Sequence, residues 1–198
     1  MRRRADWLAM SCLCAVVLTA VGCGGRSAPT RFYVLAPIAA AATAGSDGRP
    51  VSIGVGPVRL PGYIDRPQIV TRRVAEEIDL AEFDRWGEPL ADGVPRTIAD
   101  NLALLMPRER IALFPWLGSR SVQYQVVVDI ARFDGPLGGA VVLDARWRII
   151  GPDRADLGER RFSASEPSGA ATYPALVAAM SRSLGALSRE IAAALEAR

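Results

Sequence analysis

Histidine and lysine are both missing from the 198 residues, and cysteine occurs only three times. Without lysine there is no Schiff-base amine; without histidine there is no imidazole general base, no Ser-His-Asp triad and no histidine-ligated metal. Arginine supplies all 24 basic residues, set against 21 carboxylates. That balance lacks the concentrated basic face that nucleic acid requires, so no nucleic-acid partner is expected. A genome-wide codon bias explains the missing lysine, and the chemical consequence holds in any case. No metal, cofactor or catalytic residue is expected.

Half of the residues are hydrophobic and under a quarter are charged, which suits one globular domain with a proper core. The first residues stand apart from it. Arg2, Arg3 and Arg4 precede an apolar run from Trp7 to Ala20 that is short for a membrane span, and small residues then lead into Cys23. This is the order of an export signal. The ending "LTAVGC" resembles the lipobox of bacterial lipoproteins, in which a diacylated cysteine becomes the first residue after cleavage. Ala20 stands where that pattern prefers leucine, and an ordinary cleaved signal with an incidental cysteine is the competing reading. Cys12 and Cys14 lie inside the apolar run and leave with it, so Cys23 is the one cysteine kept and no disulfide is expected. The resulting division is a signal over 1–22, a lipidated cysteine and tether over 23–30, and a domain over 31–198. Gly24 after the cysteine, in lipoproteins of this look, implies release to the outer membrane.

Within the domain, "RFYVLA" (31–36) reads as a short strand, 39–50 as a low-complexity connector, and "VSIGVGPV" as a second strand with alternating Val51, Ile53 and Val55. Gly54 and Gly56 lack the rest of a dinucleotide fingerprint and read as close backbone packing. "LPGYIDRPQIVTR" (60–72) is denser than a connector needs, and is either a docking surface held rigid by prolines or a structural turn. Val74 to Glu82 reads as a hairpin. Leu90, Val94, Ile98, Leu102 and Leu105 then step along one face of a helix that Pro95 kinks and Pro107 ends. "RIALFPW" (110–116) reads as a strand running into an exposed turn. "SVQYQVVVDIARF" and "AVVLDARWRII" alternate apolar and polar residues around "DGPLGG" and form an antiparallel hairpin. A further strand covers 157–165. The chain closes with a helix from about Pro174, capped by Thr172, with Leu176, Met180, Leu184, Leu187, Ile191 and Leu195 facing the core. The architecture expected is a single-domain α/β sandwich with a mixed sheet.

The carboxylates Glu76, Glu77, Asp79, Glu82 and Asp84, with Asp65, are the best material for a periplasmic glycan hydrolase, a remote alternative to a solvated acidic strand face. The candidate partner-binding residues are Tyr63, Asp65, Arg66, Gln68, Trp86 and Trp116, with Cys23 as the lipidation site. Tyr, Arg and Trp are the residue types that most often dominate interface energy.

Taken together and in order, "YVL", "IGVGPVRLPGYIDRPQIVTR", "LAEFDRWGEPL", "IADNLALLM", "FPW", "YQVVVDIARFDG" and "VVLDARWRI" resemble the PqiC/YmbA-like family of ABC-type transport auxiliary lipoproteins. The resemblance implies an outer-membrane lipoprotein facing the periplasm that works with an MCE-domain protein and inner-membrane partners in lipid transport between membranes. It also implies a fold similar to the anticodon-binding-like N-terminal domain of TolB. Self-association is expected from the short tether, which confines copies to a thin layer. An envelope scaffold with no lipid contact is the alternative; a continuous apolar cleft would favour lipid contact and a closed core would favour scaffolding.

A Cys23→Ala variant is expected to lose its acyl anchor and become soluble in the periplasm. Palmitate labelling checks this, and an unlabelled wild-type protein would contradict it.

Overall fold

The structure is a computed structural model that describes residues 28–38, 50–116 and 122–198. The signal, Cys23 and most of the tether lie outside the described residues, as does nearly all of the 39–50 connector. Among the described residues, eight strands and two long helices follow in order: β1 (Arg31–Tyr33), β2 (Ser52–Arg59), β3 (Gln68–Val74), β4 (Glu77–Trp86), α1 (Leu90–Leu105), β5 (Arg110–Leu113), β6 (Tyr124–Asp134), β7 (Ala140–Ile150), β8 (Asp156–Pro167) and α2 (Tyr173–Glu196). A single 3-10 turn, Pro152–Arg154, joins β7 to β8.

The fold is a mixed α/β domain, as expected, but its strands divide into two mixed sheets rather than one. The larger has the order β5-β2-β6-β7-β8 and the smaller β1-β4-β3. In the larger sheet, β2 runs parallel to both β5 and β6, and β6, β7 and β8 form an antiparallel meander. Its alternating residues explain the packing. Val126, Val128 and Ile130 on β6 and Val141, Leu143, Ala145, Trp147 and Ile149 on β7 are all buried, because one face carries the helices. Helix α1 lies against β2 and β5, α2 lies against β7 and β8, and the helices touch each other.

Helix α2 forms where its stripe and cap predict it. All six stripe residues from Leu176 to Leu195 are buried, and Thr172 Oγ1 accepts from the Ala175 N–H at 3.4 Å. Helix α1 continues from Leu90 through Pro95 to Leu105 as one element, with Pro107 beyond its end. Asn101, fully buried on α1, joins three parts of the chain. Its Nδ2 donates to Ser188 Oγ on α2 at 3.1 Å, and its Oδ1 accepts from the Ile38 N–H at 2.8 Å.

Several boundaries differ from the sequence reading. The hairpin expected over Val74 to Glu82 spans β3 and β4, from Gln68 to Trp86, with Ala75 and Glu76 at its turn. Pro67 does not oppose this, since proline is tolerated just before a strand begins. β1 keeps only three residues of "RFYVLA", β5 stops at Leu113, and β8 extends to Asp156 and Pro167. Gly54 and Gly56 do serve close approach. Six-membered-ring atoms of Trp116 occupy the place a Cβ on Gly54 would need, while Gly56 has φ +118° and faces Phe114 Cβ.

Asn101→Ala is expected to cost about 1–3 kcal/mol, because it leaves the part-buried Ile38 N–H without its acceptor and the buried Ser188 hydroxyl without its donor. Urea unfolding of the full chain checks the magnitude, and an unchanged midpoint would contradict it.

Candidate docking surface

The stretch 60–72 begins as a tight turn and ends as a strand. The Ile64 N–H donates to Pro61 O at 3.1 Å and the Arg66 N–H to Ile64 O at 2.9 Å, which curls the backbone around the buried Ile64 side chain. From Gln68 onward the chain is β3. Pro67 O accepts from the Trp86 N–H at 2.8 Å, so the two motif-rich stretches, 60–72 and 83–90, are stitched together at Pro67 and Trp86.

What fixes this turn in space is a carboxylate that sequence reasoning missed. Asp134, at the end of β6, has a fully buried side chain. Its oxygens accept from Tyr63 Oη at 2.5 Å, Arg72 Nε and Nη2 at 2.8 Å each, and Arg132 Nε at 3.0 Å. The Arg72 guanidinium also lies over the Tyr63 ring, 5.4 Å from its centre, and the Arg72 N–H donates to Gly135 O at 3.1 Å. Burial alone pushes the Asp134 carboxyl upward, but the hydrogen bonds from Arg72, Tyr63 and Arg132 and the charge of Arg72 outweigh it and hold it below the usual range. The Tyr63 hydroxyl is raised, first by burial and then by its bond to Asp134. Tyr63 and Arg72 lie in the motif over 53–72 and Asp134 in "YQVVVDIARFDG", but nothing in the sequence joined the two motifs.

The six candidate residues therefore have different surroundings. Tyr63 is partly buried and committed to Asp134. Asp65 is exposed, and its Oδ1 accepts from the Ala91 N–H at 3.2 Å in the first turn of α1. Trp86 is buried, at 6% exposure. Gln68 sits in β3 opposite Arg85. Asp65, Arg66 and Trp86 come together around an open cleft of about 390 Å³, completed by Pro67, Gly87, Glu88 and Pro89. Trp116 is elsewhere: it covers Gly54 and meets the exposed Phe114 edge to face, with ring centres 5.3 Å apart. Phe114 lines a second cleft of about 540 Å³ with Val55, Val58, Pro95 and Leu113, and Glu88 borders both clefts. Glu88 is paired with Arg96.

The acidic residues considered for hydrolysis are dispersed. Asp84 is buried and accepts from Tyr33 Oη at 2.7 Å and Arg31 Nη2 at 3.0 Å. Asp79 and Glu77 pair with Arg73, and Glu82 is an exposed residue of β4. Asp84 meets Arg31 while Asp79 and Glu77 share Arg73, so these carboxylates pair with arginines rather than with one another across a cleft.

Residues 33–192 match the family model described as ABC-type transport auxiliary lipoprotein component. No curated protein matches the chain. Among solved structures, the crystal structure of an uncharacterized protein is similar with a TM-score of 0.71 at 21% identity, covering 85% of this chain and 99% of that one. A Xanthomonas campestris DUF330 protein is similar with a TM-score of 0.63 at 17% identity, covering 82% and 92%. Both likenesses are of fold.

Asp134→Asn is expected to destabilise the domain by about 3 kcal/mol at neutral pH, since Arg72 and Arg132 then face no charge. The wild-type carboxyl is depressed in the folded state, so its contribution is present above the ordinary carboxylate pKa of about 3.9 and is lost as pH falls through the lower folded value. Urea melts from neutral to strongly acidic pH are thus expected to show the wild-type advantage shrinking below about pH 4. A gap independent of pH would contradict this assignment.

Proposed function

Because the chain belongs to the ABC-type transport auxiliary lipoprotein component family, we propose that it is a non-enzymatic docking subunit, anchored through Cys23 to the outer membrane and facing the periplasm. There it docks to, or caps, the MCE-domain component of an intermembrane lipid transport system whose other partners sit in the inner membrane. Copies held on short tethers self-associate as part of that assembly.

The observation that carries this reading is the 390 Å³ cleft at the junction of 60–72 with 83–90. It is built from the two stretches that most resemble the family, and its walls are stiffened by Pro67 and Pro89. Rigid walls suit recognition, because little conformational freedom is lost when a partner seats. The core behind it is filled by Trp147, Phe133 and aliphatic side chains, and the clefts open at its surface. That arrangement favours gripping a protein over enclosing an acyl chain.

Arg66 is the most direct test, since Tyr63 and Trp86 also support the fold. Arg66→Ala is expected to leave folding and anchoring unchanged while weakening recovery of the MCE partner from detergent extracts. An interface anchor contributes about 2 kcal/mol or more, which is about thirtyfold in affinity. A folded, anchored Arg66→Ala protein that recovers partner at the wild-type level would overturn the docking role of this cleft.

A further inference from the structure

Two buried side-chain nitrogens among the described residues find no hydrogen-bond acceptor: Arg66 Nε and Arg85 Nε. Both belong to residues at one strand junction. Arg66 precedes Pro67, whose carbonyl holds the Trp86 N–H, and Arg85 precedes Trp86 and pairs with Gln68 in register. Native folds rarely keep a buried donor without an acceptor, so each such group calls for an explanation, a bound water or ion among them. Arg66 also has no ion-pair partner among the described residues, whereas the other charged groups of the cleft are engaged: Asp65 by the Ala91 N–H and Glu88 by Arg96.

The rest of the lining defines the complement. Pro67, Trp86 and Pro89 supply apolar walls. The arginine asks for an acceptor-only anion, for which a planar carboxylate is a matched geometry. A phosphate carries more charge and would meet the carboxylates of Asp65 and Glu88 on the same lining. The volume lies within the range that accommodates a short segment or a small molecule.

We infer that the Arg66 cleft recognises a carboxylate set beside an apolar side chain, presented by an extended segment of the partner protein. This rests on the docking reading above and names the chemistry of what is docked. The carboxylate pairs with the Arg66 guanidinium where it lines the cleft, while its apolar neighbour lies against Pro67, Trp86 and Pro89.

The test uses the full chain, isotopically labelled and purified in a nonionic detergent, titrated with N-acetylleucine as the probe and with N-acetylleucinamide as the uncharged match. The acid is expected to shift the Arg66 Nε–H and Trp86 indole N–H resonances saturably, and the amide to bind at least about tenfold more weakly. Arg66→Gln is expected to abolish the difference. If that variant does not fold, the acid and amide comparison on the wild-type protein still decides. Equal responses to acid and amide, or none to either, would overturn the inference. A stronger response to inorganic phosphate or dodecyl phosphate than to the acid would overturn it too, and would identify a phosphate or lipid headgroup instead. Failure here with partner recovery still dependent on Arg66 would leave docking intact and refute only the carboxylate. Success here with recovery indifferent to Arg66 would refute docking at the cleft and leave a small-acid site.

Discussion

A carboxylate removed from water must be fully paired, and Asp134 achieves this with four hydrogen bonds from three residues that reach it from different parts of the chain. Tyr63 comes from the turn, Arg72 from the smaller sheet and Arg132 from the same strand as the aspartate. Without the carboxylate two guanidinium groups would face each other, and without the arginines the aspartate would be a bare buried charge. The node therefore decides where the smaller sheet and its turn sit against the larger sheet. The backbone bond from the Arg72 N–H to Gly135 O repeats the attachment at main-chain level.

From that fixed point the cleft follows. Tyr63 holds one end of the turn, the carbonyl of Pro67 holds the other to Trp86, and Asp65 reaches across to the first turn of α1. Arg66 lies between these attachments and lines the cleft. A turn tied at Tyr63, Asp65 and Pro67 leaves its remaining side chain in a defined position, which is the property a recognition residue needs. Tyr63 and Asp65 hold the turn, and Arg66 lines the cleft, where the proposed docking would use it.

Legibility in the sequence followed the physics of each element. Helix α2 and the β6 and β7 hairpin were readable because each buries one face, so periods of 3.6 and 2 appear directly as apolar spacing. The glycines 54 and 56 were read correctly as packing positions, although their partners, Trp116 and Phe114, were not foreseen. β3 escaped because Ile69, Val70 and Thr71 are buried in succession beside irregular pairing, which erases the alternation. The second sheet escaped for a related reason: its strands meet through residues far apart in sequence, such as Arg31 opposite Asp84. Asp134 was hidden because Tyr63 is 71 residues away and the chain has 24 arginines; nothing local says which of them a given aspartate meets. Trp86 lines the cleft as a buried residue rather than a projecting one.

The central claim is that the Pro67 and Trp86 junction faces a transport partner. Photo-crosslinking in living cells tests it most directly, with a benzophenone amino acid placed at the exposed Pro67 in one full-length variant and at the exposed Ala193 of α2 in another. The account expects a crosslinked adduct to the MCE-domain protein from position 67 and none from position 193. Equal adducts from both positions, or an adduct from 193 alone with position 67 silent in a folded and anchored protein, would contradict it.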